Sequence, residues 1–149
     1  MQVTARVDYA VRAVVQLAVD GPSSRGGIAA AQGIPAKFLE SILLRLRQGG
    51  LLVAQRGTTG GYALARDAST ITIADVVRIV EGPLAAVRGL PPEDTEYPDP
   101  AGGVRDLWVA LRAGMRQVLE TTTVADLRDG RLPDAVAALL TPEEAWQRR

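Results

Sequence analysis

GIPAKFLESILLRLRQGGLLVAQRGTTGGYAL, residues Gly33 to Leu64, carries two periodicities in succession. Phe38, Leu39, Ile42, Leu43 and Leu46 recur at 38/42/46 and 39/43, the apolar face of a helix. Pro35 suits the first turn of that helix, where its missing N–H costs nothing. Gly49-Gly50 ends it. The period then changes: Leu51 to Gln55 is short, apolar and bounded by turn residues, and reads as a strand. Gly57 to Gly61 is a turn, and Tyr62-Ala63-Leu64 is a second strand. Two short strands around a glycine-rich tip predict a hairpin.

Working outward toward the N-terminus, Val7 to Asp20 reads as a helix, with Val7, Val11, Val14, Val15 and Ala18 at helical spacing. Thr4 can cap its start, and Gly21-Pro22 stops it. Ser23-Ser24 can cap a short second helix through Ile28 to Gln32, with Gly33 as a left-handed residue beyond its end. Toward the C-terminus, Thr72-Ile73-Ala74-Asp75 resembles a capping box, with Asp in place of Glu. It predicts a fourth helix from Ala74 to Val80, ended by Gly82-Pro83. Gly89 to Gly103 then holds four prolines, three glycines and four acids, and reads as a mobile loop. Val104, Leu107, Trp108, Leu111, Met115 and Val118 follow as a stripe on one long helix, most simply core plus dimer seam. A short helix from Val124 to Leu127 comes next. Thr141 is the expected N-cap of a last helix in the tail, with Glu143 and Glu144 in its first turn.

The expected fold class is mainly α with a small β-hairpin, a winged helix-turn-helix plus a long C-terminal dimerisation helix. The expected organisation is residues 1–88 as the DNA-binding unit, 89–103 as the loop, and 104–149 as the dimerisation helix and tail. Helix, short helix, turn, longer helix and hairpin within about 60 residues is the order of a winged helix-turn-helix. A helix has the diameter to enter the major groove, and a hairpin can reach a neighbouring groove or phosphates. On the third helix Lys37, Glu40, Ser41, Arg45 and Arg47 face away from the apolar stripe. Glu40 can accept from cytosine N4, or pair with a nearby arginine such as Arg47 or Arg12. At the hairpin tip Arg56 can enter the minor groove. Gly57 and Gly60 let backbone N–H groups approach phosphate, and Thr58, Thr59 and Tyr62 offer hydroxyls.

Several stretches resemble the bacterial regulators of the IscR, NsrR and CymR type. They are Asp8 to Ala13, Ile34 to Glu40, Leu46 to Leu51, Arg56 to Arg66, Glu81-Gly82-Pro83-Leu84 and Leu107-Trp108, in the family's order. The resemblance implies a homodimer on a pseudo-palindromic double-stranded DNA operator, with the long helix pairing across the two-fold axis. It also implies that Glu40 and Arg56 contact DNA. The expected role is that of a repressor. The family wing often carries proline and a further glycine where this chain has Thr58 and Thr59. Cluster-binding members place three cysteines in the loop before the dimerisation helix, whereas Gly89 to Gly103 has none.

Composition narrows the chemistry further. The 149 residues include neither cysteine nor histidine. Thiolate nucleophiles, disulfides, cysteine-ligated iron–sulfur clusters and Cys/His zinc sites are excluded, and the usual general base near neutral pH is missing. No nucleophile–base pair or phosphate loop stands out, so no enzyme, cofactor or metal is expected. Glu93, Asp94, Glu96 and Asp99 are expected to be solvated. Charge is uneven: residues 1–88 hold ten Lys/Arg against six Asp/Glu, and residues 89–149 hold seven against eleven. A basic first half suits a polyanion. The alternative is a winged-helix protein–protein module using the acidic loop and tail, which would not need a basic half or an arginine-tipped wing. A small-molecule or protein effector near Trp108 stays open. No apolar run reaches the roughly 18 residues of a membrane span, and the N-terminus lacks a signal-peptide layout, so the expected location is the cytoplasm.

Overall fold

The computed structural model describes residues 2–57 and 60–147. Seven α-helices are found among them: α1 (Ala5–Asp20), α2 (Arg25–Gln32), α3 (Ala36–Gln48), α4 (Ile73–Glu81), α5 (Gly103–Leu119), α6 (Val124–Arg128) and α7 (Asp134–Ala137). Strands β1 (Leu52–Gln55) and β2 (Gly61–Leu64) pair antiparallel, with Leu52 opposite Leu64 and Gln55 opposite Gly61. No helix among the described residues is long and apolar enough to cross a membrane.

Local chemistry explains the boundaries. Thr4 accepts from the Val7 N–H at 3.2 Å and Ser24 from the Gly27 N–H at 3.1 Å. Each satisfies a donor that a helix start leaves unpaired, so α1 and α2 begin earlier than apolar spacing predicts. Gly33 sits at φ 61, ψ 34, a left-handed conformation cheap only for glycine. Pro35 stands one residue outside α3 as its cap, with ψ 125, and its carbonyl accepts from the Leu39 N–H.

One core joins the helices. Ala10, Ala13, Val14 and Leu17 from α1 meet Ile28 of α2, Leu39, Ile42, Leu43 and Leu46 of α3, and Val76 and Val80 of α4. The two alanines give α1 a thin face, which suits its central place among α2, α3, α4 and α6. Phe38, expected on the apolar face of α3, is 63% exposed. The buried set 39/42/43/46 already forms the i, i+3, i+4, i+7 stripe, and Phe38 falls off its edge.

The hairpin is tied to the helices from its far side. Ser23 and Tyr62 exchange both backbone hydrogen bonds, at 3.0 and 2.9 Å. A Cβ on Gly61 would collide with the Ser23 carbonyl, so close approach demands glycine there. Capping boxes occur at both Thr72/Asp75 and Thr123/Asp126. The two starts are joined by Ile73 N–H to Thr122 O and Val124 N–H to Ile71 O, both 2.9 Å. Val124 thereby lands fully buried in the core, across the expected boundary at residue 88.

The acidic segment holds a 3-10 turn at Pro92–Asp94, with Pro92 and Thr95 buried. Glu93, expected to be solvated, pairs with Arg112 of α5 at 2.5 Å. In the tail Thr141 donates to the Ala138 carbonyl instead of capping. The last element is one 3-10 turn, Glu143–Trp146, entered from Pro142. Proline fixes the backbone there, so the cap lies one residue later than expected.

Candidate nucleic-acid interface

With its apolar stripe spent on the core, α3 presents Lys37, Glu40, Ser41, Arg45 and Arg47 to solvent, all exposed. Phe38 and Leu44 flank Ser41 on the same side and are 63% and 48% exposed. Sequence reasoning had not assigned either to this surface. The signal was available, because 38, 41 and 45 share a face once 39/42/43/46 is taken as buried. The Ser41 hydroxyl donates to the Phe38 carbonyl at 3.0 Å, so it faces an incoming base edge chiefly as an acceptor.

Glu40 pairs with Arg25 of α2 at 3.0 Å, not with Arg47 or Arg12. Both partners are about half exposed or more, and such a pair is worth only about 0–1 kcal/mol. It orients the carboxylate without committing it. Arg12 is fully engaged elsewhere: it bonds Asp8 at 3.1 Å and Gln32 Oε1 at 3.2 Å, and lies 5.6 Å from the Tyr9 ring centroid. It also donates to the Gln32 carbonyl. The Asp8–Tyr9–Arg12 group is therefore a clamp between α1 and the end of α2.

Among the described residues, nine arginines take part in ion pairs. Lys37, Arg45, Arg47, Arg56, Arg88 and Arg131 do not. Four of these six lie on α3 or at the hairpin tip, which concentrates unneutralised charge where a polyanion would dock.

At the tip Arg56 and Gly57 are exposed, and the Gly60 N–H bonds the Gly57 carbonyl at 2.9 Å. Thr58 and Thr59 lie outside the described residues. Tyr62 is half-buried and packs against the core, so its ring braces the hairpin.

On α5 the candidate seam divides. Val104, Trp108, Leu111, Met115 and Val118 are half-buried, while Leu107 is 58% exposed beside exposed Ala110, Ala113 and Gly114. None of α5 is fully buried.

Residues 3–130 match the model of the Rrf2 family, described as iron-dependent transcriptional regulators. This chain belongs to the Rrf2 family. Rv1287 of Mycobacterium tuberculosis is 49% identical over 142 residues, covering 93% of this chain and 88% of that protein. The HTH-type transcriptional regulator CymR of Bacillus subtilis is 35% identical over 130 residues, covering 85% and 89%. The solved structure of B. subtilis CymR, the global cysteine regulator, superposes with a TM-score of 0.73 at 32% identity, over 87% of this chain and 98% of that one. T. potens IscR superposes with a TM-score of 0.70 at 29% identity, over 100% and 93%.

This Rrf2 chain is thus a DNA-binding transcriptional regulator with a winged helix-turn-helix fold. The family's iron is a poor fit to its side chains. There is no cysteine or histidine, and no group of three or more His, Cys, Asp or Glu among the described residues could hold a metal ion. Soft thiolate ligands are what an iron–sulfur site requires, and Glu93 of the loop is spent on Arg112 of α5.

Proposed function

We propose that this Rrf2 regulator works as a homodimer and represses by occupying a pseudo-palindromic operator in the cytoplasm. Each α3 enters a major groove, and the two half-sites lie about one helical turn of DNA apart. Lys37, Glu40, Ser41 and Arg45 read or position on base edges and neighbouring phosphates. Arg56, with the Gly57–Gly60 turn behind it, reaches the minor groove. The two copies meet through the exposed side of α5 around Leu107.

The observation that carries this reading is the cluster of unpaired cations on α3 and the wing. Among the described residues, every arginine outside α3 and the wing except Arg88 and Arg131 has a carboxylate partner, so the group on α3 and the wing stands apart in charge. Neutralising phosphates releases counterions, and affinity should fall by about 0.9 log units per log unit of salt for each phosphate contact.

The test is titration of a labelled duplex from the region upstream of the chain's own gene at two salt concentrations. Tight binding that weakens steeply with salt is expected. No binding even at low salt would sink the reading. Arg56→Ala should weaken binding, most on operators whose flanking minor groove is narrow and A·T-rich, and lower the salt slope by about one. Unchanged affinity removes the wing from the interface.

A further inference from the structure

Arg88 is the only non-glycine residue with positive φ among the described residues, at φ 53. Gly89 follows at φ 81, and Val87 and Leu90 exchange both backbone hydrogen bonds at 2.9 and 3.0 Å. That is a two-residue turn with both central residues left-handed, the type I′ geometry that favours Asn-Gly. An arginine in its first central position is set there against backbone preference, and strain of this kind marks functional positions. Arg88 is also one of the six unpaired cations, although the segment that follows it is rich in acids. Its guanidinium lies 5.4 Å from the centroid of the Tyr97 ring instead.

Arg88 and Tyr97 line a pocket of about 670 Å³ whose other walls include Val104, Trp108 and Leu111 of α5. The size falls in the range of small-molecule sites, and such sites pair apolar walls with a few polar groups that fix orientation. A guanidinium stacked over an aromatic ring keeps its N–H edge free for a carboxylate. Glu93 is already bound to Arg112, and Asp94, Glu96 and Asp99 form no ion pair with Arg88.

We propose that this pocket binds a small organic anion, an apolar or aromatic molecule with one carboxylate. Its body lies against Trp108 and Leu111, and its carboxylate is held by Arg88. The site deepens the regulator reading, to which it adds the class of effector, and it is tested on the free protein without DNA.

Trp108 and Trp146 are the only tryptophans, so a Trp146→Phe background leaves Trp108 emission as the reporter. Phenylacetate is the probe and neutral phenylacetamide the control. A saturable change with phenylacetate at or below millimolar concentration is expected. Phenylacetamide should bind about tenfold more weakly, the ratio for losing one charge-assisted bond. Arg88→Asn should weaken phenylacetate equally while its melting temperature is unchanged or raised, because asparagine suits this turn. Three results each overturn the site: no saturable change, an equal response from Arg88→Asn, or emission that follows protein concentration and ignores phenylacetate. The last would mean that a second copy covers the pocket. Operator titration on the same preparation stands or falls separately, so failure of the site and failure of DNA binding are told apart.

Discussion

Helices α3 and α5 are of similar length and both amphipathic, yet the chain uses them in opposite ways. The apolar face of α3 is consumed inside one protomer, where Leu39, Ile42, Leu43 and Leu46 are all buried. What it shows to solvent is three cations without partners, Lys37, Arg45 and Arg47, beside a Glu40 tied to Arg25. No residue of α5 is fully buried, and its outer face shows Leu107 and small residues. Its cations are paired: Arg112 with Glu93, Arg116 with Glu120. The first helix is complete in itself and lacks a polyanion. The second has settled its charges and lacks an apolar neighbour. A surface is best read by what its own chain has left unsatisfied.

Truncating the inner face of α3 should break the contrast most thoroughly. Leu43→Ala leaves a cavity in the common core and should cost about 2–5 kcal/mol, lowering the melting temperature and abolishing DNA binding together. A melting temperature within error of the parent would mean that α3 is not anchored this way. On α5, Leu107→Glu sets a charge against its own copy and should weaken dimerisation at least about tenfold, read by native mass or sedimentation. An undisturbed dimer would move the seam to the half-buried face around Trp108.

A smaller and more selective effect is expected at Glu40. Glu40→Gln should relax discrimination at one base pair by about 1–3 kcal/mol while leaving the fold intact, since the exposed Arg25 pair contributes little. Equal loss on every operator variant would reduce Glu40 to a positioning residue.

The smallest effect is at Glu93. The hydrogen bond from Arg112 holds its carboxyl below the usual carboxylate value of 4.5. A carboxylate with a lowered folded value stabilises above the unfolded value, and that contribution is lost as pH falls through the folded one. Glu93→Gln should therefore lower the melting temperature slightly at neutral pH and hardly at all well below about pH 4.5, which flattens the acid limb of stability. A change confined to alkaline pH would contradict the pairing.

The α3–hairpin module was legible because its signals are local: a 3.6-residue stripe, glycine stops and a shift to short strands within 32 residues, Gly33 to Leu64. The capping box at Thr72 could be read for the same reason. Pairings set by tertiary packing were out of reach. Arg25 as the partner of Glu40 lies across the turn between two helices, and Glu93–Arg112 spans a loop that composition alone marks as irregular. Phe38 was misplaced because an aromatic at the edge of an apolar stripe looks the same whether it faces core or solvent. The turn at Arg88 escaped notice because arginine is not a residue that announces left-handed backbone.

The seam between Thr72 and Thr123 bears on how the protein is made. Strand-like hydrogen bonds from Ile73 and Val124 insert a residue from the last third of the chain into a buried core otherwise drawn from residues 10–80. During synthesis the reading head stays unfinished until residues beyond α5 have left the ribosome. A message cut short after residue 88 would yield a product with Ile71 and Ile73 uncovered and their backbone partners missing. Such a fragment is prey for proteases, not a competitor for the operator.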